Sequence, residues 1–151
     1  MQENVNDGHN MNHNQFIETY LRTAQNTDWA FWVQCVDLAK LYSREVLGIE
    51  LGSFGGSARN GWLNKSKTFD LKKWIKIPNS PTAIPPRGAI IFYDEPGLTG
   101  HVAIVHEADI NDVLVIEQNW ATWNWDWKGY NAINFEAKRD YKKCLWWYIK
   151  R

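Results

Sequence analysis

Long apolar runs are missing from this chain of 151 residues: none approaches 18, so none is long enough to cross a membrane as a helix. Cysteine is scarce. Cys35 and Cys144 alone cannot build a disulfide framework or a four-ligand zinc knot. Neither sign of charge is in excess, with 17 basic residues facing 17 acidic ones. That excludes the overall basic surplus expected of a protein that binds nucleic acid through its phosphates. No basic start leads into an apolar stretch, so no signal peptide is expected. Carboxylates are few before Cys35. Residues 26–34 offer only Asp28, too little for a hard oxygen-loving cation, and no metal or cofactor is expected. Tryptophan, by contrast, is abundant: ten such side chains need burial or a ligand to stack on.

The length suits one domain with a real core. Residues 1–12 are polar and read as a disordered lead-in, leaving 13–151 as a single domain. His9 and His13, four apart, have no third ligand nearby and read as part of a solvated tail. From His13 the spacing of Phe16, Ile17, Tyr20, Leu21 and Ala24 predicts a helix. A second helical stretch carries Trp32, Val36, Leu38, Ala39 and Tyr42 and ends at Gly48, a natural cap. Residues 50–88 collect glycine and proline and read as irregular, with a short helix near Leu63 or over Leu71–Ile75. Beyond Gly88 the period becomes that of strands: Ala89–Tyr93, Val102–His106, Val113–Glu117, about Asn131–Phe135, and Leu145–Ile149. Helices first and antiparallel strands after them define an α+β fold.

Three short stretches hold the chemistry: Gln34-Cys35, Gly100-His101 and Glu117-Gln118-Asn119. A hairpin turning about Asp109 pairs His101 with Glu117, Ala103 with Val115 and Val105 with Val113. Opposed residues share a face, so imidazole and carboxylate become neighbours, with Asn119 on the same face if the chain stays extended. A carboxylate or amide beside an imidazole fixes its tautomer and orientation. Cys35 lies in the first turn of its helix if that helix begins near Val33 or Gln34, and two turns in if it begins at Asp28. The first position suits a nucleophile, because a helix N-terminus favours the thiolate. The side-chain amide of Gln34 is a donor suited to an oxyanion. Taken singly, a lone cysteine or histidine is more often structural.

The order Gln-Cys-Val-Asp-Leu-Ala at 34–39, Pro-Arg-Gly-Ala-Ile-Ile-Phe-Tyr at 86–93, Gly-His-Val-Ala-Ile-Val at 100–105 and Glu-Gln-Asn-Trp at 117–120 resembles the CHAP family. These are the cysteine- and histidine-dependent amidohydrolases and peptidases. The resemblance covers about residues 14–149. It implies a papain-like fold with N-terminal helices packed on an antiparallel β-sheet, acting on amide bonds of bacterial peptidoglycan. It implies Cys35 as nucleophile, His101 as base, Glu117 and Asn119 as orienting residues and Gln34 as oxyanion donor. Relatives often carry Gly-Asp where this chain has Gly88-Ala89, a position that looks structural. The expected activity is that of an N-acetylmuramoyl-L-alanine amidase or a peptidoglycan endopeptidase. A monomeric phage lysin or virion-associated enzyme, made in the cytoplasm and acting at the wall after release, fits an unexported chain with no room for a wall-binding domain. Two other readings stay open: a catalytically silent, Trp-rich glycan-binding module, and an amidase of the same fold acting on small peptide–polyamine conjugates.

Trp120, Trp123 and Trp125, with Trp127, form a cluster that is either a packed sheet face or a groove wall stacking on substrate, with the balance towards the groove. On a strand Trp146 and Trp147 point opposite ways, so one of them is core. Residues 138–151 hold six basic side chains against Asp140 and read as a solvated face that would also attract an anionic wall polymer.

Overall fold

The computed structural model describes residues 11–23, 34–63, 65–94, 99–118 and 134–151. Helix α1 spans His13–Tyr20, capped by the Asn12 side chain, which accepts from the Gln15 N–H at 2.9 Å. The Met11 N–H donates to the Glu45 carbonyl at 2.7 Å, so the last two residues of the expected lead-in are held against the fold. Helix α2 runs Cys35–Tyr42 and continues as a π-helical turn over Ser43–Leu47. Gly48 ends it in the left-handed conformation (φ 68°), as the sequence predicts. Short helices α3 (Ala58–Leu63) and α4 (Lys65–Thr68) follow.

Six strands then complete an antiparallel sheet: β1 (Trp74–Pro78), β2 (Ile90–Tyr93), β3 (His101–Ala108), β4 (Asp112–Glu117), β5 (Asn134–Asp140) and β6 (Cys144–Lys150), in spatial order β1-β6-β2-β3-β4-β5. This is the α+β arrangement expected. Of the two places expected for a short helix, the one near Leu63 is α3, and Leu71–Ile75 is instead a turn leading into β1. Trp74-Ile75-Lys76-Ile77 alternates, and its pairing with β6 supplies hydrogen bonds that local propensity does not reveal.

The sheet separates two apolar clusters. Helix α2 buries Val36, Leu38, Ala39, Leu41 and Tyr42, so it is apolar on nearly every side, as a helix inside a core must be. It packs with Phe16, Phe54, Phe69, Ile90, Phe92, Val102, Ile104, Ile116 and Tyr148. The alternate residues Ile91, Tyr93, Ala103, Val105, Val113, Val115 and Trp147 form the second cluster. Trp147 is thus the core member of its pair. Trp146 packs against the first cluster, with the Lys76 Nζ 3.7 Å above its ring. Gly88 (φ 84°) has a fixed reason to be glycine: a Cβ there would lie 2.9 Å from the Tyr42 hydroxyl.

The turn after β3 is built by Asp109, whose Oδ1 accepts from the N–H groups of Asn111 and Asp112 at 2.8 Å each. The register differs from the one expected. Val105 pairs with Val115 and Ile104 with Ile116, while nearer the turn Ala108 pairs with Val113 and Glu107 with Leu114. A bulge between Val105 and Glu107 separates the two registers. The shift beyond the bulge is two residues, an even number. His101 and Glu117 therefore keep the shared face that the expected register gave them, as diagonal rather than direct neighbours.

Candidate active site

Three element ends meet at one end of the sheet. Strand β3 begins there with His101, antiparallel β4 finishes there with Glu117, and α2 opens there with Cys35. Gln34 is the N-cap of α2, in extended backbone, and its N–H donates to Asp37 Oδ2 at 2.9 Å. The helix start left open by the sequence is therefore the later one, and Cys35 is the first helical residue. Its N–H is one of the four that an α-helix leaves without an internal carbonyl partner. Gln118, which is buried, donates from Nε2 to the Gln34 carbonyl at 2.7 Å and ties the end of β4 to the start of α2.

The His101 side chain is 1% exposed. Its Nε2 lies 3.0 Å from Glu117 Oε2, and the Cys35 side chain is near enough to act on the titration of the imidazole. With Nε2 engaged by the carboxylate, Nδ1 is the nitrogen left for the thiol. Burial works against a charged imidazole. The hydrogen bonds and charges of Cys35 and Glu117 outweigh it and lift His101 to about 9. Glu117 shows the reciprocal balance. Burial raises its carboxyl, but His101 and Arg139 together hold it below the ordinary carboxylate range.

Arg139 was grouped by sequence with the solvated basic end. The structure corrects this: its Nη2 donates to Glu117 Oε1 and its Nε to Oε2 at 3.3 Å. Arg139 pairs across the sheet with Val113, four residues before Glu117, so its side chain must run back along the strand to reach the carboxylate. No local pattern announces such a contact. The role of Gln118 had a signal, a polar residue between Glu117 and Asn119 at the end of a buried strand. Asn119, Trp120, Trp123 and Trp125 lie outside the described residues. Cys144 is buried in the second cluster, where burial pushes its thiol up to about 12. Among the described residues no group of three His, Cys, Asp or Glu side chains is placed to hold a metal ion, and no helix is long and apolar enough to cross a membrane.

A thiol opening a helix, an imidazole kept charged beside it and a buried carboxylate behind the imidazole form the arrangement that nucleophilic acyl transfer needs. A family model described as the CHAP domain matches residues 24–119, well over half of the chain. The chain belongs to the CHAP domain family, a group of amidases and peptidases of the peptidoglycan-hydrolase type. Comparison with curated proteins gives no match.

Proposed function

We propose that the chain hydrolyses amide bonds of bacterial peptidoglycan by acyl transfer through Cys35, as an N-acetylmuramoyl-L-alanine amidase or a peptidoglycan endopeptidase with a lysin-type role at the wall. The observation that carries this reading is the buried His101, hydrogen-bonded to Glu117 and standing beside the Cys35 thiol at the start of α2. In the first step the Cys35 sulfur attacks the amide carbonyl and an S–C bond forms. The oxyanion is held by the Cys35 N–H at the helix N-terminus and by the Gln34 side-chain amide. His101 gives its proton to the departing amine as the C–N bond breaks. Water then attacks the thioester while His101 takes its proton, and the C–S bond breaks to release the acid and restore the thiolate beside the imidazolium. Glu117 holds the His101 ring in place throughout and stabilises it whenever it is charged. Asn119 as a second orienting group, Trp120, Trp123 and Trp125 as a groove wall, and 13–151 as one catalytic unit acting as a monomer complete the proposal on the strength of the sequence pattern.

The test is mass spectrometry of the fragments released from a panel of purified peptidoglycans by the wild type and by Cys35→Ala. The expected result is new amines without new reducing ends, from the wild type only, with the fragment masses naming the bond. Wall binding without release would give the Trp-rich binding module instead. Release only from small peptide–polyamine conjugates would change the substrate.

A further inference from the structure

The Glu117 carboxylate is buried and meets two cationic side chains. His101 approaches one oxygen from β3, and Arg139 spans both from β5. We propose that Arg139 is a positioning residue: its guanidinium clamps Glu117 so that Oε2 faces His101, and its charge sets the pH window in which the site turns over. This rests on the function proposed above. Arg139 lies on β5, beyond the last residue that the family model matches.

A carboxylate held by one imidazole alone is free to turn about its last torsion and offer either oxygen. A guanidinium binding side-on removes that freedom, because its planar fork matches the two oxygens. Among the described residues two cationic side chains face one buried carboxylate, in a place where an uncompensated charge is costly. The groups around Glu117 are His101 from β3, with Cys35 of α2 beyond it, Arg139 from β5, and Tyr93 of β2, whose hydroxyl is pushed up by burial first and then by Cys144, Tyr141 and Glu117, with Arg139 opposing.

Without Arg139 the carboxylate would protonate at higher pH, moving the acid limit of activity up. His101, facing a carboxylate no longer offset, would keep its proton to higher pH, moving the alkaline limit up as well. Both limits therefore slide the same way. A group that merely supported the fold would lower the rate or the stability and leave the limits where they were.

The experiment compares wild type, Arg139→Gln and Arg139→Lys, all carrying Cys144→Ser. Amine release from purified peptidoglycan and alkylation of Cys35 by iodoacetamide are followed against pH. Circular dichroism checks the fold. Arg139→Gln should lower kcat by up to about 100-fold through misplacement of the imidazole and move both limits to higher pH. Arg139→Lys keeps the charge without the fork, so it should lower kcat while keeping the wild-type limits. Alkylation reports the Cys35–His101 pair without any substrate. If no peptidoglycan is cut by the wild type, the proposed function fails, yet the alkylation profile still decides the role of Arg139. A folded Arg139→Gln with both wild-type limits of turnover and the wild-type acid limit of alkylation would overturn the proposal. If Arg139→Gln does not fold, Arg139→Lys decides: limits displaced from wild type despite the retained charge would overturn it equally.

Discussion

Strand β3 carries a histidine near each end, and the two are held in opposite states. His101, at the first position, stands between a thiol and a carboxylate and is lifted to about 9. His106, at the bulge, faces another imidazole: its Nδ1 lies 2.9 Å from His13 Nε2, with the rings stacked. His13 in turn meets the Tyr42 hydroxyl through Nδ1 at 2.7 Å. Burial, His106 and Arg87 bring His13 down to about 4. Burial and Arg87 lower His106 too, with Glu107 opposing them. His101 is the more deeply buried of the two extremes, yet it is the one that holds its proton. The sign of the neighbouring charges, more than the depth of burial, decides the state of an imidazole here. One end of the strand holds a charged imidazole between a thiol and a carboxylate, and the other docks α1 in a neutral form.

The largest effect expected at the charged end is from Cys35→Ala or Cys35→Ser. Either should cost on the order of 10³-fold or more in amine release with the fold intact, while Cys144→Ser should turn over like the wild type. Loss of activity with Cys144→Ser and not with Cys35→Ala, in the same assay, would place the nucleophile elsewhere.

Next comes Glu117→Gln, which takes away the charge that helps to keep His101 protonated. His101 should fall towards its ordinary value, and the alkaline limit of turnover should fall with it, while the acid limit of Cys35 alkylation shifts as the thiolate loses part of its partner's charge. The pair titrates as a coupled unit, so the macroscopic pH profile is the observable. An unchanged alkaline limit would mean that the carboxylate does not set the state of the imidazole.

At the neutral end, Gly88→Ala should strain a left-handed residue and push a Cβ at the Tyr42 hydroxyl that His13 leans on. A loss of about 1–3 kcal/mol is expected, read as a fall in Tm of a few degrees per kcal/mol for a chain of this size. A Tm equal to wild type would show that Tyr42 gives way freely.

The smallest effect is acid sensitivity of α1. His13 has its folded value lowered to about 4, against an unfolded value near 6.5. The unfolded chain therefore takes up the proton first, and the stability present above about 6.5 is lost as pH falls towards 4. His101 has the opposite sign: its contribution is complete below about 6.5 and disappears as pH rises through 9. Hydrogen exchange in α1 at pH 7 and pH 4.5 should show the docking loosen in the wild type and much less in His13→Gln. Equal acid sensitivity in both would assign the effect to other groups.

How far this was legible in the sequence follows from how local each feature is. Gln34-Cys35, Gly100-His101 and Glu117 stand at ends of elements whose periodicity is plain, and the structure brings Cys35, His101 and Glu117 together. The facing of His101 and Glu117 was anticipated through a register two residues out. It kept its parity because the bulge beside His106 compensates for the pairing near the turn. Whether a strand bulges depends on its partners in the sheet, and sequence spacing does not reveal it. Arg139 was read as surface because its link to Glu117 crosses from one strand to another and runs several residues along it. Strand β1 is illegible in the sequence for a related reason, since its pairing with β6 joins segments some seventy residues apart.

The contrast between the two ends of β3 can be measured directly by following the four imidazoles by NMR across pH, with each histidine assigned by substitution. The account predicts that His101 stays protonated to about pH 9 and falls towards its ordinary value in both Cys35→Ala and Glu117→Gln. It predicts that His13 titrates near 4 in all three proteins. His101 and His13 both titrating near 6.5 in the wild type would contradict it, and with it the charged imidazole on which the proposed chemistry depends.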